Sequence, residues 1–74
     1  MKETIFILFR NNHFLGAFTT HRNATQAVIK DSFREGIHLK DYSFQFGTEF
    51  FIYENSVADE YTYELMEVTP DEPA

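Results

Sequence analysis

Two apolar segments on either side of Asn11-Asn12 constrain the fold more than any other feature of this chain. The first, Thr4 to Arg10, is rich in β-branched and aromatic residues and too short for a helix, which is typical of a β-strand. Asn tolerates positive φ, so Asn11-Asn12 suits a two-residue type I′ turn, and His13 to Thr19 returns as the second strand. Both faces of this hairpin are apolar, because side chains alternate between the faces of a strand. We therefore expect a hairpin that is central in its sheet or covered on both sides.

A regular ladder from this turn predicts which residues of the hairpin lie opposite each other. Arg10 faces His13 and Phe9 faces Phe14, and the same register pairs Ile7 with Gly16 and Ile5 with Phe18. The opposite face then carries Phe6, Leu8, Leu15 and Ala17.

Helical character follows from about His21 to Glu35. Thr20 and Asn23 are both candidates for the N-cap, and Gly36 is a typical C′ residue. The apolar side of this helix is predicted to include Val28, Ile29, Ser32 and Phe33.

The second half reads as a hairpin and a last strand. Tyr42 to Phe46 alternates as a strand with one buried face, Gly47-Thr48 suits a type II′ turn, and Glu49 to Glu54 returns. That register pairs Phe44 with Phe51 and Tyr42 with Tyr53. Residues 37–41 are expected to connect the helix to this hairpin, residues 55–59 to form a loop, and residues 61–69 to form the last strand.

The order β-β-α-β-β-β predicts one small α+β domain over residues 1–69. Its sheet is five-stranded and mostly antiparallel, with one helix packed on it. The 74 residues leave no room for a second domain, and nine Phe and four Tyr supply a core without disulfides, since Cys is absent. Residues 70–74, Pro-Asp-Glu-Pro-Ala, are expected to form a flexible acidic tail.

The segment Phe14-Leu15-Gly16-Ala17-Phe18-Thr19-Thr20 carries a resemblance. A strand running into a capped helix looks like the opening of many small uncharacterised proteins of phages and bacteria, in which a late strand pairs back on the hairpin. The resemblance covers residues 4–35 and the strand near Tyr61 to Val68. It implies this fold and a phage or mobile-element origin, and it carries no functional residues across.

Most kinds of chemical site have no support in the sequence. His13, His21 and His38 fit no helical metal-ligand spacing, and no Gly-rich phosphate loop or nucleophile with a His and acid partner is present. We therefore expect no catalysis, no metal and no cofactor. The apolar run from Ile5 to Phe9 is too short for a secretory or membrane segment, so a cytoplasmic protein is expected.

Direct binding to nucleic acid or to anionic membranes is disfavoured by the net charge of −6. A sheet of aromatic side chains could stack single-stranded bases, with Phe44, Phe46, Phe51 and Tyr53 as the platform. Such platforms are accompanied by Lys and Arg, which the surrounding strands lack, and the alternative is that these aromatics form the core.

The charges are unevenly divided along the chain. All six Lys and Arg lie in residues 1–40 beside three acids, whereas residues 41–74 hold nine acids and no Lys or Arg. One hypothesis is a negative surface that binds a basic protein partner, by imitating nucleic acid in its sharpest form. Its candidate residues are Glu49, Glu54, Asp59, Glu60, Glu64 and Glu67. The alternatives are that the basic half neutralises these acids within the fold, or that they only keep the domain soluble.

Self-association is the second functional expectation. One helix covers one face of a sheet, so the other face is predicted to expose Phe6, Leu8, Leu15, Phe50 and Ile52. A symmetric dimer would cover them, whereas a strongly coiled sheet would hide them in a monomer. The sequence thus predicts a non-catalytic protein-binding module that inhibits or redirects a host protein. The alternative is a self-associating accessory module.

Overall fold

The computed structural model describes residues 4–69, and the predicted tail at residues 70–74 lies outside that range. Its elements are β1 (Ile5–Arg10), β2 (His13–Phe18), α1 (His21–Glu35), β3 (His38–Gln45), β4 (Thr48–Glu54) and β5 (Glu60–Val68). The five strands form one antiparallel sheet in the order β2-β1-β5-β4-β3. The predicted α+β class and the predicted element order are confirmed.

The last strand of the chain is the central strand of the sheet. β5 pairs with β1 on one side and with β4 on the other, and so joins the two hairpins. Its Tyr63 and Leu65 are only 0% and 1% exposed, because α1 covers this part of the sheet. The core therefore lies between α1 and the middle strands.

The first hairpin has the predicted turn, but its register changes beyond Phe9. Asn11 and Asn12 have φ of 48° and 69°, as a type I′ turn requires, and Phe9 pairs with Phe14 as predicted. Leu8 then pairs with Gly16, so that Leu15 is the extra residue of a β-bulge. The predicted pairs of Ile7 with Gly16 and of Ile5 with Phe18 are therefore wrong.

The first hairpin packs against the helix through the face that carries Leu8. Leu8 is buried in the core, and Phe6 and Phe18 pack against it. The structure thus places Phe6 and Leu8 on the helix side of the sheet, and their predicted position on an uncovered face is wrong. Ile5 and Ile7 take the opposite side, because neighbouring residues of a strand point to opposite faces.

The second hairpin turns one residue earlier than predicted. Its turn residues are Phe46 and Gly47, with φ of 51° and 77°, in place of Gly47-Thr48. The observed pairs join Phe44 to Glu49 and Tyr42 to Phe51, so both predicted aromatic pairs are wrong. A bulky residue such as Phe is disfavoured at positive φ, and for that reason the sequence did not indicate Phe46 as a turn residue.

Helix α1 has the predicted bounds and caps. The Thr20 hydroxyl accepts a hydrogen bond from the Asn23 N–H at 3.1 Å, and Gly36 ends the helix with a φ of 70°. Its buried residues are Ala24, Val28, Asp31 and Ser32. Ile29 and Phe33, predicted on the packed side, are instead 61% and 86% exposed.

Candidate protein-binding surface and the buried Asp31 cluster

The face of the sheet that points away from α1 has no covering layer within residues 4–69. We call it the helix-free face, and its apolar residues are Ile5, Ile7, Phe9, Phe14, Ala17, Phe50, Ile52, Met66 and Val68. Their positions follow from the strand registers and from the alternation of side chains along each strand. Phe9 and Phe14 share one face, because their rings meet edge to face with their centroids 6.0 Å apart. The face is thus a mainly apolar surface that crosses four strands.

Glu64 lies in the middle of this apolar surface. It pairs with Phe9 on β1 and with Phe50 on β4, so that phenylalanines flank it on both sides. The side chain is partly buried, and it has no ion-pair or hydrogen-bond partner among residues 4–69. A carboxylate surrounded by apolar side chains favours a partner that brings a complementary donor.

Two other predicted acidic residues lie at one end of the same face. Glu54 and Glu60 are opposite each other on β4 and β5. The Lys40 ammonium lies 2.5 Å from a Glu60 oxygen and 3.7 Å from a Glu54 oxygen, and His38 lies 3.8 Å from Glu54. The hydrogen bond to Glu60 and the two nearby negative charges raise the pKa of Lys40. This end of the face is therefore partly neutralised.

The remaining predicted acids lie elsewhere. Glu49 is on the helix side, where its carboxylate bonds His21 at 2.5 Å and accepts from the Tyr42 hydroxyl at 2.8 Å. That hydrogen bond is the main reason why the pKa of Tyr42 is raised. Glu67 is also on the helix side, opposite Phe6, and Asp59 is in the β4–β5 loop. The structure thus divides the predicted acidic surface between two faces and a loop.

The predicted self-association set is divided in the same way. Phe50 and Ile52 lie on the helix-free face, whereas Phe6, Leu8 and Leu15 lie on the helix side. The helix-free face therefore combines part of each predicted set. Sequence reasoning missed the contribution of β1 to it, although the two-sided apolar pattern of the first hairpin was the signal that could have found it.

A buried polar cluster joins α1 to the sheet. The Asp31 carboxylate accepts hydrogen bonds from Tyr63 at 2.5 Å, from Arg10 at 2.6 Å and from Arg34 at 2.5 Å. One carboxylate thereby accepts hydrogen bonds from side chains of β5, of β1 and of its own helix. Charge-assisted hydrogen bonds of this kind are stronger than neutral ones, so the cluster fixes the position of α1 on the sheet.

The ionisation of the cluster is set by burial and by these hydrogen bonds. Burial tends to raise the pKa of Asp31, but the bonds from Tyr63 and Arg10 outweigh it and hold the pKa below its usual range. Burial, together with the bond to Asp31, raises the pKa of Tyr63 far above its usual value. Asp31 is therefore a carboxylate and Tyr63 a neutral phenol at neutral pH, which suits an anchor better than an acid–base pair.

A cleft lies beside this cluster, between α1 and β2. Its volume is about 270 Å³, and it is lined by Leu8, Leu15, Phe18, Ala27, Lys30, Asp31 and Arg34. The bulge contributes Leu15 to its wall. Because Asp31 and Arg34 bond each other, Lys30 is the charged lining residue without an ion-pair partner within residues 4–69.

A metal-ligand cluster and a membrane-spanning helix are absent from the part of the chain that the structure describes. Within residues 4–69, no three metal-ligating side chains converge on one point. No helix in that range has the length and apolar character needed to cross a membrane. Of the aromatic platform considered for nucleic acid, Phe44, Phe51 and Tyr53 share the helix side of the second hairpin, where Tyr53 is buried and Phe44 is exposed, and Phe46 lies in the turn.

Comparisons with known proteins find no match to this chain among protein-family models, curated protein sequences or solved structures. We therefore assess function from the geometry of the chain itself.

Proposed function

We propose that this chain is a small, non-catalytic module that binds another protein through its helix-free face. The observation that carries the proposal is an apolar surface across four strands without a covering layer in residues 4–69. Large contiguous apolar patches mark interaction sites, because leaving them in water forfeits the free energy of burial. On the opposite side α1 packs on β1 and β2, and the uncovered part there is the β3 end, where Tyr42 and Phe44 are exposed. The helix-free face has no covering element on any of its strands within residues 4–69, so we propose it as the docking surface.

The two edges of the sheet favour contact through the face over contact through strand pairing. β2 carries a bulge at Leu15 and β3 carries one at Lys40. Bulges interrupt the row of backbone donors and acceptors that an added strand would need. Both edge strands thus have a feature that hinders edge-to-edge association.

The chemistry of the face indicates the kind of partner. Glu64 is surrounded by Phe9 and Phe50, and Glu54 and Glu60 lie at one end. A complementary partner would present an apolar surface with Lys or Arg opposite Glu64, because an unpaired charge in a dry contact is costly. This retains the predicted preference for a basic partner surface and adds an apolar contact to it.

Inhibition of a host protein by imitation of nucleic acid is a more specific hypothesis. It requires carboxylates in an array on one exposed face. Glu49 and Glu67 lie on the opposite face from Glu54, Glu60 and Glu64, and Lys40 neutralises part of the latter group. We therefore favour the hypothesis that the partner docks through apolar contacts over the hypothesis that the carboxylates imitate a phosphate backbone.

Site-specific photo-crosslinking in the native cell tests the proposal. A photoreactive phenylalanine analogue at Phe50 should yield a discrete crosslinked protein, because this side chain lies on the face beside Glu64. The same analogue at Val57, an exposed apolar residue of the β4–β5 loop, is the matched control. Equal crosslinking at the two positions, or none at Phe50, would contradict the proposal.

A further inference from the structure

The outward side of α1 exposes two large apolar side chains among polar ones, and no other element covers them within residues 4–69. Ile29 and Phe33 are one helical turn apart and are 61% and 86% exposed. Arg22 and Lys30 lie on the same side of the helix, because residues three, four and eight apart share a helical face. Neither of these cations has an ion-pair partner in the described part of the chain.

We infer that the outward side of α1 in one copy docks on the helix-free face of a second copy, so that the chain associates head to tail. The inference rests on the proposed function, since it names the occupant of that face. Both surfaces carry apolar side chains, Ile29 and Phe33 on α1 and the phenylalanines beside Glu64 on the helix-free face, and both lack a covering element within residues 4–69.

Charge complementarity favours this occupant over a symmetric contact. The outward side of α1 brings Arg22 and Lys30, whereas the helix-free face presents Glu64 among phenylalanines. A symmetric dimer of two helix-free faces would place Glu64 against a surface of the same sign, with Glu54 and Glu60 on both sides. Like charges brought together in an apolar contact oppose association, so the head-to-tail arrangement is the complementary one.

The dimensions of the two surfaces agree. α1 has 15 residues, and a helix of this length extends over about 22 Å. β5 has nine residues and extends over about 30 Å. A second helix therefore fits along the strands of the helix-free face, and the sheet then has a helix on each side, as in other layered folds.

A contact between two different surfaces leaves one of each free at the ends. Head-to-tail association therefore continues into longer chains of subunits or closes into a ring. Wild-type protein should form species larger than a dimer as its concentration rises. This behaviour distinguishes the arrangement from a symmetric dimer.

Two single-surface variants test the inference by sedimentation equilibrium. Phe33→Glu disables the outward side of α1 and leaves the helix-free face intact, whereas Phe50→Glu does the reverse. Each variant alone should be monomeric, and an equimolar mixture should form a 1:1 heterodimer that grows no further. Val57→Glu introduces the same charge outside both surfaces and should associate like the wild type. Circular dichroism spectra should show that all three variants are folded.

The charge contact has its own test, in which the apolar residues are untouched. Glu64→Lys should weaken wild-type association at least about tenfold, which corresponds to 1.4 kcal/mol. Mixing it with the Arg22→Glu/Lys30→Glu variant should restore association into species larger than a dimer, because each variant then presents to the other both a helix and a face of opposite charge. Failure of this mixture to recover association would count against the assigned contact.

The outcomes separate the inference from the proposed function. If Phe33→Glu associates like the wild type and only Phe50→Glu is monomeric, the helix-free faces pair symmetrically and the inference is wrong. A wild-type monomer at all concentrations would also overturn it, while crosslinking at Phe50 in cells would still support docking of another protein. If Phe50→Glu associates like the wild type and Phe50 gives no crosslink, both are wrong.

Discussion

Asp31 is the residue on which the attachment of α1 to the sheet most depends. Its carboxylate is buried and receives three donors, from Tyr63, Arg10 and Arg34. Among residues 4–69 no buried side-chain nitrogen or oxygen lacks a hydrogen-bond partner, so the cluster is fully satisfied. Removing one member of a satisfied buried network leaves the others unpaired, which costs more than the network contributes as a whole.

We predict that Asp31→Asn lowers the free energy of unfolding by about 3 kcal/mol, because Arg10 then lacks its closest counter-charge. Tyr63→Phe should lower it by about 2 kcal/mol, because Asp31 loses a hydrogen bond from a buried donor. Urea denaturation measures both. Glu35→Gln is the matched control, since Glu35 lies 3.6 Å from Arg10 but is much more exposed, and it should change the free energy by less than about 1 kcal/mol.

The ionisation of Asp31 makes the free energy of unfolding depend on pH. The pKa of Asp31 is lower in the folded state than in the unfolded chain, so the unfolded chain binds its proton first as the pH falls. The contribution of Asp31 is present above the unfolded pKa, about 3.9, and is lost as the pH falls towards the folded pKa. Asp31→Asn should therefore show a smaller loss of stability than the wild type below about pH 4. An unchanged slope would contradict the lowered pKa.

At the scale of elements, the two hairpins use the same kind of turn with different residues. Asn11-Asn12 and Phe46-Gly47 all have positive φ, but only Phe46 is a bulky residue in that region. Phe46 is also fully exposed, so no packing within residues 4–69 offsets the steric cost of its backbone conformation. The second turn is consequently the strained one.

We predict that Phe46→Asn raises the free energy of unfolding by about 1 kcal/mol, because Asn adopts the left-handed region at lower cost. Urea denaturation of the variant checks the sign. Phe44→Asn makes the same change at an exposed position within β3, where Asn is disfavoured, and should not stabilise the protein. Equal or lower stability of Phe46→Asn would show that the turn is not strained.

At the scale of the whole molecule, protection from solvent is uneven across the sheet. β5 has a neighbouring strand on each side and lies under α1, whereas β3 is an edge strand whose residues are all exposed. The outer part of the sheet therefore has fewer buried contacts to stabilise it than the centre. Regions with few buried contacts open more readily than the molecule as a whole.

We predict that backbone amides of β5 and of β3 differ in their rates of hydrogen exchange. Amides of β5 should exchange only through global unfolding, so their protection should equal the full free energy of unfolding. Amides of β3 should exchange faster, through local opening of the edge. Measurement at a low protein concentration keeps association from adding protection, and uniform protection across the two strands would contradict the prediction.

Local patterns of the sequence determined the elements of this protein. The bounds of α1, the Asn11-Asn12 turn and the α+β order all follow from capping residues, turn residues and apolar spacing, which act over a few positions of the chain. The same patterns indicated a surplus of apolar residues and a divided charge, and so an interaction surface.

Tertiary structure alone decided which face of the sheet α1 covers and therefore which residues form the candidate site. The bulge at Leu15 placed Leu8 opposite Gly16 in the core, beneath α1. The alternation of side chains along β1 could not show which of its faces lies under α1. Both faces are apolar, and either could have packed against the helix. The bond from Tyr63 to Asp31, 32 residues apart, forms only when α1 lies on the Leu8 side of the sheet, and it therefore stabilises that arrangement over the other.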